Sequence, residues 1–194
     1  MNYLAHIFLA GDTPESIIGN LAGDFVKGPL PGPFEPEIAR GILEHRKIDA
    51  FTDAHAEVGT FRRIIAAQHG HYARVIADVF FDHFLATHWG DYSAEPLDSF
   101  LQSVFARLDP HTDLMPPRLR NVYPRMRDGQ WFRSYSSLDG ISTALYHLSR
   151  RFSRRPQLEP ATRLLVDRRI DLETHFRLFF PEVIDFAKAL RSGR

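Results

Sequence analysis

The strongest chemical signal in this chain is a pair of neighbouring ionisable residues, Asp82 and His83, inside the apolar run 80–85. Asp78 stands four residues earlier, so on a helix it would share one face with Asp82. Both carboxylates then occupy places where core residues are expected. Burying an unpaired carboxylate is costly, so such groups are normally neutralised by a metal ion, a cation or a hydrogen-bond network. The pattern indicates a functional site rather than a solvated helix face.

A second group of ligand-type residues, His45, Asp49 and Asp53, recurs at intervals of four. On a helix this spacing places all three along one slowly drifting stripe. Taken alone, the stripe is more typical of surface salt bridges than of a metal site. Together with Asp78 and Asp82 it favours a site with oxygen and nitrogen ligands, which suits manganese, iron, magnesium or zinc. A metal held there would lower the pKa of a bound water and direct its attack on phosphorus or a carbonyl.

Three further residues could serve the same chemistry, and each has an ordinary structural alternative. Asp24 ends a predicted helix just before the loop 28–33, where aspartate is most often a cap or turn residue. Lys27 could neutralise Asp24 or bind a phosphate. His6 lies in the apolar segment 2–10, and a lone histidine in such a segment is more often a core residue than a ligand.

Composition excludes several classes of mechanism. The 194 residues include no cysteine, which excludes disulfides, thiolate nucleophiles and cysteine-ligated metal sites. The sequence carries no phosphate-binding glycine loop, no serine nucleophile elbow and no dinucleotide-binding fingerprint. Its apolar stretches fall far short of the roughly 20 residues of a membrane span, and its first residues lack the basic start of a secretory signal. We therefore expect a cytoplasmic protein with no membrane span.

The formal net charge is zero, but charge is distributed unevenly along the chain. Residues 1–57 carry four Lys or Arg and nine Asp or Glu, whereas residues 111–170 carry twelve Arg and five Asp or Glu. Arginines interleaved with aromatic residues occur in nucleic-acid-binding proteins, but the neutral overall charge argues against that function. An acidic protein partner or a plain soluble surface explains the clusters equally well. The candidate partner-binding residues are Arg118, Arg120, Arg125, Arg127, Arg150, Arg151, Arg154 and Arg155.

Hydrophobic periodicity is helical nearly throughout, and strand-like alternation is scarce. Breaker residues in the loop 28–33 leave almost no helical option there. We predict an all-α fold, a single-domain helical bundle over residues 1–194, with a break at Gly59 and Thr60 and a kink or split at Pro181. The predicted helices cover about 13–25, 36–55, 61–69, 72–89, 95–108, 118–128, 137–152 and 160–190.

Four motifs follow one another along the chain: NYLAH at 2–6, GNLAGDFVKG at 19–28, HRKIDAFTDAH at 45–55 and DHFLA at 82–86. Together they resemble the bacterial acyl carrier protein phosphodiesterases, also called acyl carrier protein hydrolases. The resemblance extends over essentially the whole chain. Four motifs in the right order make it specific, where any single motif would be weak.

The resemblance implies hydrolysis of the phosphodiester that joins 4′-phosphopantetheine to a serine of holo acyl carrier protein. It also implies a divalent metal, typically manganese, and an all-helical domain related to the HD phosphohydrolases. Those enzymes hold metal with histidine and aspartate in the order His-Asp, whereas the order here is Asp82-His83, so their ligand pattern does not transfer directly. The strongly acidic carrier protein suits the arginine clusters, because opposite charge raises association rates.

Roles for the candidate residues follow from that activity. Negative charge on the phosphodiester in the transition state could be stabilised by Arg46 or Lys27. The first choices as metal ligands or water-orienting groups are Asp24, His45, Asp82 and His83. The second choices, which would orient the first, are Asp49, Asp78 and His6.

Two other functions stay open at the level of the sequence. An HD-type phosphohydrolase acting on a small nucleotide would use the same metal cluster. A non-catalytic helical adaptor would use its histidines and aspartates in structural networks and its arginines to bind an acidic partner. Hydrolysis of free nucleotides would favour the first, whereas metal-free folding and partner binding without turnover would favour the second.

Overall fold

In the computed structural model, local sequence signals account for the first residues of two helices near the start of the chain. The Thr13 hydroxyl accepts a hydrogen bond from the Ser16 amide at the start of α2 (Pro14–Ala22), where proline occupies the first helical position. Proline also opens α3 (Pro36–Ala54). The breaker-rich segment between α2 and α3 forms turns and bends rather than helix, as the sequence predicts.

Helix dominates residues 1–128 and 131–193, which are the parts of the chain that the structure describes, and no strand forms there. The prediction of an all-α fold is confirmed. None of the helices in these ranges is both long and apolar enough to cross a membrane. Short 3₁₀ helices cover Gly70–Tyr72, Asp109–Leu114 and Glu159–Arg163. The other α-helices are α1 (Tyr3–Leu9), α4 (Ala56–His69), α5 (Ala73–Thr87), α6 (Trp89–Tyr92), α7 (Leu97–Leu108), α8 (Pro117–Asp128), α9 (Trp131–Ser134), α10 (Leu138–Ser149), α11 (Leu164–Asp167) and α12 (Arg169–Arg191).

The predicted break at Gly59 and Thr60 is wrong, because α4 runs through both residues. The break lies instead at His55, whose backbone is extended between α3 and α4. The His55 ring accepts a hydrogen bond from the Glu57 amide at 3.2 Å and so caps α4. Glycine inside a helix costs only about 1 kcal/mol relative to alanine, which packing easily outweighs.

The terminal helix also differs from the prediction. Residues 159–163 form a 3₁₀ turn, and α12 begins only at Arg169. α12 then continues past Pro181 without splitting, although proline removes one helical hydrogen bond. Phe179 and Phe180 just before it are fully buried, so tertiary packing outweighs the local preference of proline.

α2 and α3 cross at very short range, and this crossing positions the site. A Cβ on Gly19 would lie 2.5 Å from the Ile38 carbonyl oxygen and 2.7 Å from the Gly41 Cα. Such an approach requires glycine, which has no Cβ. The end of α2 is thereby held against the middle of α3, and Asp24 comes close to His45.

α5 is the central support of the helices around it. The ring centroid of Phe81 lies 4.7 Å from that of Phe61 and 5.4 Å from that of Phe179, which ties α5 to α4 and α12. α1 packs against the same helix. Aromatic rings of this size dominate the energetics of a core, so α1 rests on a rigid base.

Candidate functional site

Three side chains from α1 and α3 converge on one point: His6, His45 and Asp49 have ligand atoms within 4.8 Å of one another. His6 Nε2 lies 3.2 Å from Asp49 Oδ1, and His45 Nε2 lies 3.3 Å from Asp49 Oδ2. The two imidazole rings stack with centroids 3.8 Å apart. We call these three residues the His–Asp cluster. In residues 1–128 and 131–193 no other group of three or more such residues meets this distance.

A hydrogen bond on the side of the ring away from Asp49 fixes the orientation of His45. Its Nδ1 lies 2.8 Å from the Asn20 carbonyl oxygen, which can only accept, so Nδ1 carries the proton. In a neutral imidazole the opposite nitrogen, Nε2, then presents a lone pair towards Asp49. Histidines that bind metals typically donate their second nitrogen in this way.

His6 is buried and yet belongs to the cluster. Burial, and after it the proximity of His45, lowers the pKa of His6 to about 4. The ring is therefore neutral at pH 7 and can offer a lone pair. Its Nδ1 is buried without a hydrogen-bond partner among the described residues. The sequence favours a core residue here, and the structure shows a core residue that is also a member of the site.

Asp49 supplies the negative charge between the two rings. Burial acts to raise its pKa, whereas hydrogen bonds donated by His45 and His6 would hold that pKa well below the usual range. A metal ion bound to the lone pairs of the two rings would take over this stabilisation of the carboxylate charge. Asp49 Oδ1 also lies 2.9 Å from the α-ammonium nitrogen of Met1, which is 3.4 Å from Asp78 Oδ1. Asp78 is thus a neighbour of the cluster rather than a member, and burial raises its pKa.

A groove of about 380 Å³ opens beside the His–Asp cluster and presents side chains of both charges. Asp24 is exposed in this groove, and its Oδ1 lies 3.8 Å from His45 Nε2. Lys27 is exposed along the same wall. A ligand-type cluster next to cations is an arrangement suited to a phosphate ester, because cations form strong hydrogen bonds with phosphate oxygens.

The sequence suggests Arg46 or Lys27 as the group that stabilises charge on a phosphodiester. Arg46 lines the groove, and its guanidinium also hydrogen-bonds to the backbone. Nη1 donates to the Gly28 carbonyl oxygen at 2.9 Å, and Nη2 donates to the Val26 carbonyl oxygen at 3.2 Å. Arg46 therefore holds the loop that carries Lys27.

Two arginines near the groove are not predicted as site residues from the sequence. Arg74 and Arg62 both contact Asp53, at 2.5 and 2.8 Å, and Arg62 also lies 3.8 Å from Asp78. Asp53, the third member of the stripe on α3, is thus ion-paired and stands outside the cluster. Arg74 lines the groove and is exposed. No sequence signal marks these arginines, because the approach of α4 and α5 to α3 is a tertiary feature.

Asp82 does not join the cluster, although the sequence ranks it among the first ligands. Its two oxygens accept hydrogen bonds from the Leu4 and Ala5 amides, each at 2.9 Å, and its side chain is fully buried. Amides in the first turn of a helix lack partners within the helix, so Asp82 satisfies two of them. Burial raises the pKa of Asp82 to about 7, because its effect is larger than that of the two amide hydrogen bonds, which lower the pKa. The carboxylate anchors α1, the helix that carries His6.

His83 also lies apart from the cluster, because neighbouring residues on a helix point in different directions. Its Nδ1 lies 2.7 Å from the Tyr135 carbonyl oxygen, and its ring packs 5.4 Å from that of Phe84. The Asp-His pair that stands out in the sequence thus makes two separate structural contacts.

All eight predicted partner-binding arginines are exposed. Exposure is what a docking surface for an acidic partner requires. Four of them also contact other groups of the chain: Arg120 donates to the Met115 carbonyl, Arg127 pairs with Asp109, Arg150 donates to the Tyr146 hydroxyl and Arg151 donates to the Tyr3 hydroxyl.

Comparison with known proteins bears on what such a site does. Residues 1–183 match the protein family described as "Acyl carrier protein phosphodiesterase". No solved protein structure gives a significant match to the chain.

Three relatives named "Acyl carrier protein phosphodiesterase" match nearly end to end. The protein from Serratia proteamaculans (strain 568) is 36% identical over 194 residues, covering 97% of this chain and 98% of the relative. That from Klebsiella pneumoniae subsp. pneumoniae is 37% identical with the same coverage, and that from Escherichia coli O45:K1 is 36% identical over 96% of this chain and 97% of the relative. The chain therefore belongs to the acyl carrier protein phosphodiesterase family.

Proposed function

We propose that this protein hydrolyses the phosphodiester between 4′-phosphopantetheine and a serine of holo acyl carrier protein, giving apo acyl carrier protein and free 4′-phosphopantetheine. The observation that carries the proposal is the His–Asp cluster beside a groove that also presents Lys27 and Arg74. The names of the relatives support the choice of substrate.

The donors of the His–Asp cluster fit a divalent metal ion. The carboxylate suits Mn²⁺ or Mg²⁺, and the two imidazoles suit Fe²⁺ or Zn²⁺. We propose Mn²⁺, the metal that the family resemblance implies. His6 is neutral because of its lowered pKa, and His45 is oriented by the Asn20 carbonyl, so both rings can offer a lone pair. His6, His45 and Asp49 would hold the ion. When bound, such an ion lowers the pKa of a water and polarises a phosphoryl oxygen.

The groove residues supply binding, orientation and charge. Lys27 and Arg74 can donate to the non-bridging phosphate oxygens and stabilise the charge that grows on them in the transition state. Asp24 can accept a hydrogen bond from the attacking water and orient it towards phosphorus. Arg46 fixes the backbone at Gly28, which keeps Lys27 beside the groove.

Gly23→Ala should lower turnover, because it displaces a member of the cluster without touching any charge. A Cβ on Gly23 would lie 2.2 Å from the Cδ2 and Cγ atoms of the His45 ring, so the ring must move. We expect a loss of about 10-fold to 100-fold in kcat, since a displacement of about 1 Å costs as much in other enzymes. Steady-state hydrolysis of holo acyl carrier protein measures the effect.

Gly59→Ala is the matched control for this substitution. Gly59 lies within α4, and a Cβ there meets nothing within 4 Å. The alanine should leave turnover unchanged and stabilise the protein by up to about 1 kcal/mol. Equal turnover in both alanine variants would show that the His45 ring is not held as the structure describes.

Docking of the acidic carrier protein should depend on the exposed arginines. Arg118→Glu and Arg125→Glu, made singly on α8, should each raise KM several-fold at low salt, because they weaken electrostatic steering. Lys188→Glu on α12 is the control and should have little effect. The difference should shrink as salt is added. Unchanged KM in both arginine variants would remove α8 from the docking surface.

The proposed reaction is tested by intact-protein mass spectrometry of holo acyl carrier protein incubated with this protein and Mn²⁺. We expect the carrier to lose the mass of 4′-phosphopantetheine, and a chelator to abolish the loss. Several carrier proteins and metals should be included, because substrate choice depends on pocket shape.

Two other results would overturn the proposal. If no carrier protein changes mass but free nucleotides are hydrolysed, the site belongs to a nucleotide phosphohydrolase. If the metal-free protein folds and binds an acidic partner without turnover on adding metal, the chain is a helical adaptor.

A further inference from the structure

A second cavity, of about 70 Å³, lies between α1, α9 and α10 and takes no part in the chemistry described above. Its lining combines apolar side chains with polar groups, among them Asn2, His147 and Arg151. A cavity needs about 10–15 Å³ of such space to hold one water molecule, so this one takes a few waters or a small chemical group rather than a whole cofactor.

Tyr3 connects this cavity with the region of the His–Asp cluster. Tyr3 lines the cavity and stands one helical turn before His6 on α1. Its ring stacks on Phe25, the residue after Asp24, with centroids 6.0 Å apart. Its hydroxyl accepts a hydrogen bond from Arg151 at 3.0 Å. Tyr3 thus links the cavity to the segment 24–26, in which Asp24 and Val26 line the groove.

The proposed substrate offers one group that matches this space. Two arms leave the phosphodiester, and one of them is a folded protein, which cannot enter a cavity of about 70 Å³. The other arm carries two methyl groups and a hydroxyl near the phosphate and then continues as unbranched methylene and amide units to a terminal thiol. Val79, Ala144 and Leu148 present apolar surface for methylenes and sulfur, and Arg151 can donate to an amide oxygen.

We propose that this cavity, walled by Tyr3, Tyr135 and Ala144, receives the thiol end of the 4′-phosphopantetheine arm while the phosphodiester lies at the His–Asp cluster. The inference rests on the proposed function. The cavity would then be a specificity site that recognises the 4′-phosphopantetheine arm independently of the carrier protein.

The test compares two carrier substrates and two enzymes. One carrier bears the full arm, and the other bears an arm truncated before its terminal aminoethanethiol unit. The wild-type protein should prefer the full arm by about 10-fold or more in kcat/KM, because lost apolar contacts in a pocket have effects of this size. Ala144→Leu fills the cavity and should hydrolyse both substrates at similar rates.

Ala189→Leu, a partly buried alanine on α12 outside the cavity, is the matched control and should keep the wild-type preference. A wild-type protein that treats both arms alike overturns the inference, and so does an Ala144→Leu variant that keeps the preference. A wild-type protein that hydrolyses neither carrier overturns the proposed function instead, so the two failures are distinguishable.

Discussion

Asp49→Asn should lower the rate of holo acyl carrier protein hydrolysis by more than about 100-fold. Asparagine keeps the shape of the side chain but removes the charge that lies 3.2 Å from His6 Nε2 and 3.3 Å from His45 Nε2. Substitutions that merely support a metal ligand cost 10-fold to 100-fold, so the loss of a ligand itself should cost more. The variant should also bind Mn²⁺ more weakly, which a calorimetric titration measures independently of turnover.

Asp185→Asn is the control for charge, since Asp185 is an exposed aspartate on α12. It should hydrolyse the carrier and bind Mn²⁺ like the wild-type protein. If Asp49→Asn kept wild-type turnover and Mn²⁺ affinity, the His–Asp cluster would not be the catalytic centre.

Asp82→Ala should be the most destabilising substitution in the region of the site. It leaves the Leu4 and Ala5 amides buried without acceptors, and each unsatisfied donor costs about 1–3 kcal/mol. We expect the free energy of unfolding to fall by about 3 kcal/mol or more, as measured by urea denaturation. α1 would lose its anchor on α5, and His6 would lose its fixed position.

Asp82→Asn separates this structural role from metal binding. It keeps one acceptor oxygen, so its stability should fall between those of wild type and Asp82→Ala. Its Mn²⁺ affinity should stay close to that of wild type. A stable Asp82→Asn protein that no longer binds Mn²⁺ would instead support the ligand role that the sequence alone predicts.

Most of the fold follows from local sequence, and the errors arise where tertiary contacts outweigh local preference. Apolar periodicity and proline at helix starts predict α3 and the start of α2 closely, whereas α2 ends at Ala22 rather than near Phe25. The break at Gly59 is wrong because His55 caps α4 through its own side chain, which no hydrophobic pattern records. Pro181 does not split α12 because the phenylalanines before it are buried in the core.

The candidate site is predictable only in part. His45 and Asp49 are four residues apart on one helix, so their proximity is a local property that the sequence predicts. His6 joins them only because α1 packs against α5, and that packing depends on the buried carboxylate of Asp82. In the sequence, a buried aspartate looks the same whether it binds a metal or accepts hydrogen bonds from amides. Its partners, which lie about 78 residues away, decide between the two roles.

The most direct test of this account is a crystal structure of the protein soaked with Mn²⁺, with anomalous diffraction used to locate the ion. We predict an anomalous peak bounded by His6 Nε2, His45 Nε2 and the Asp49 carboxylate. A peak beside Asp82 and His83, or none at a Mn²⁺ concentration that supports full turnover, would contradict the assignment of the His–Asp cluster as the metal site.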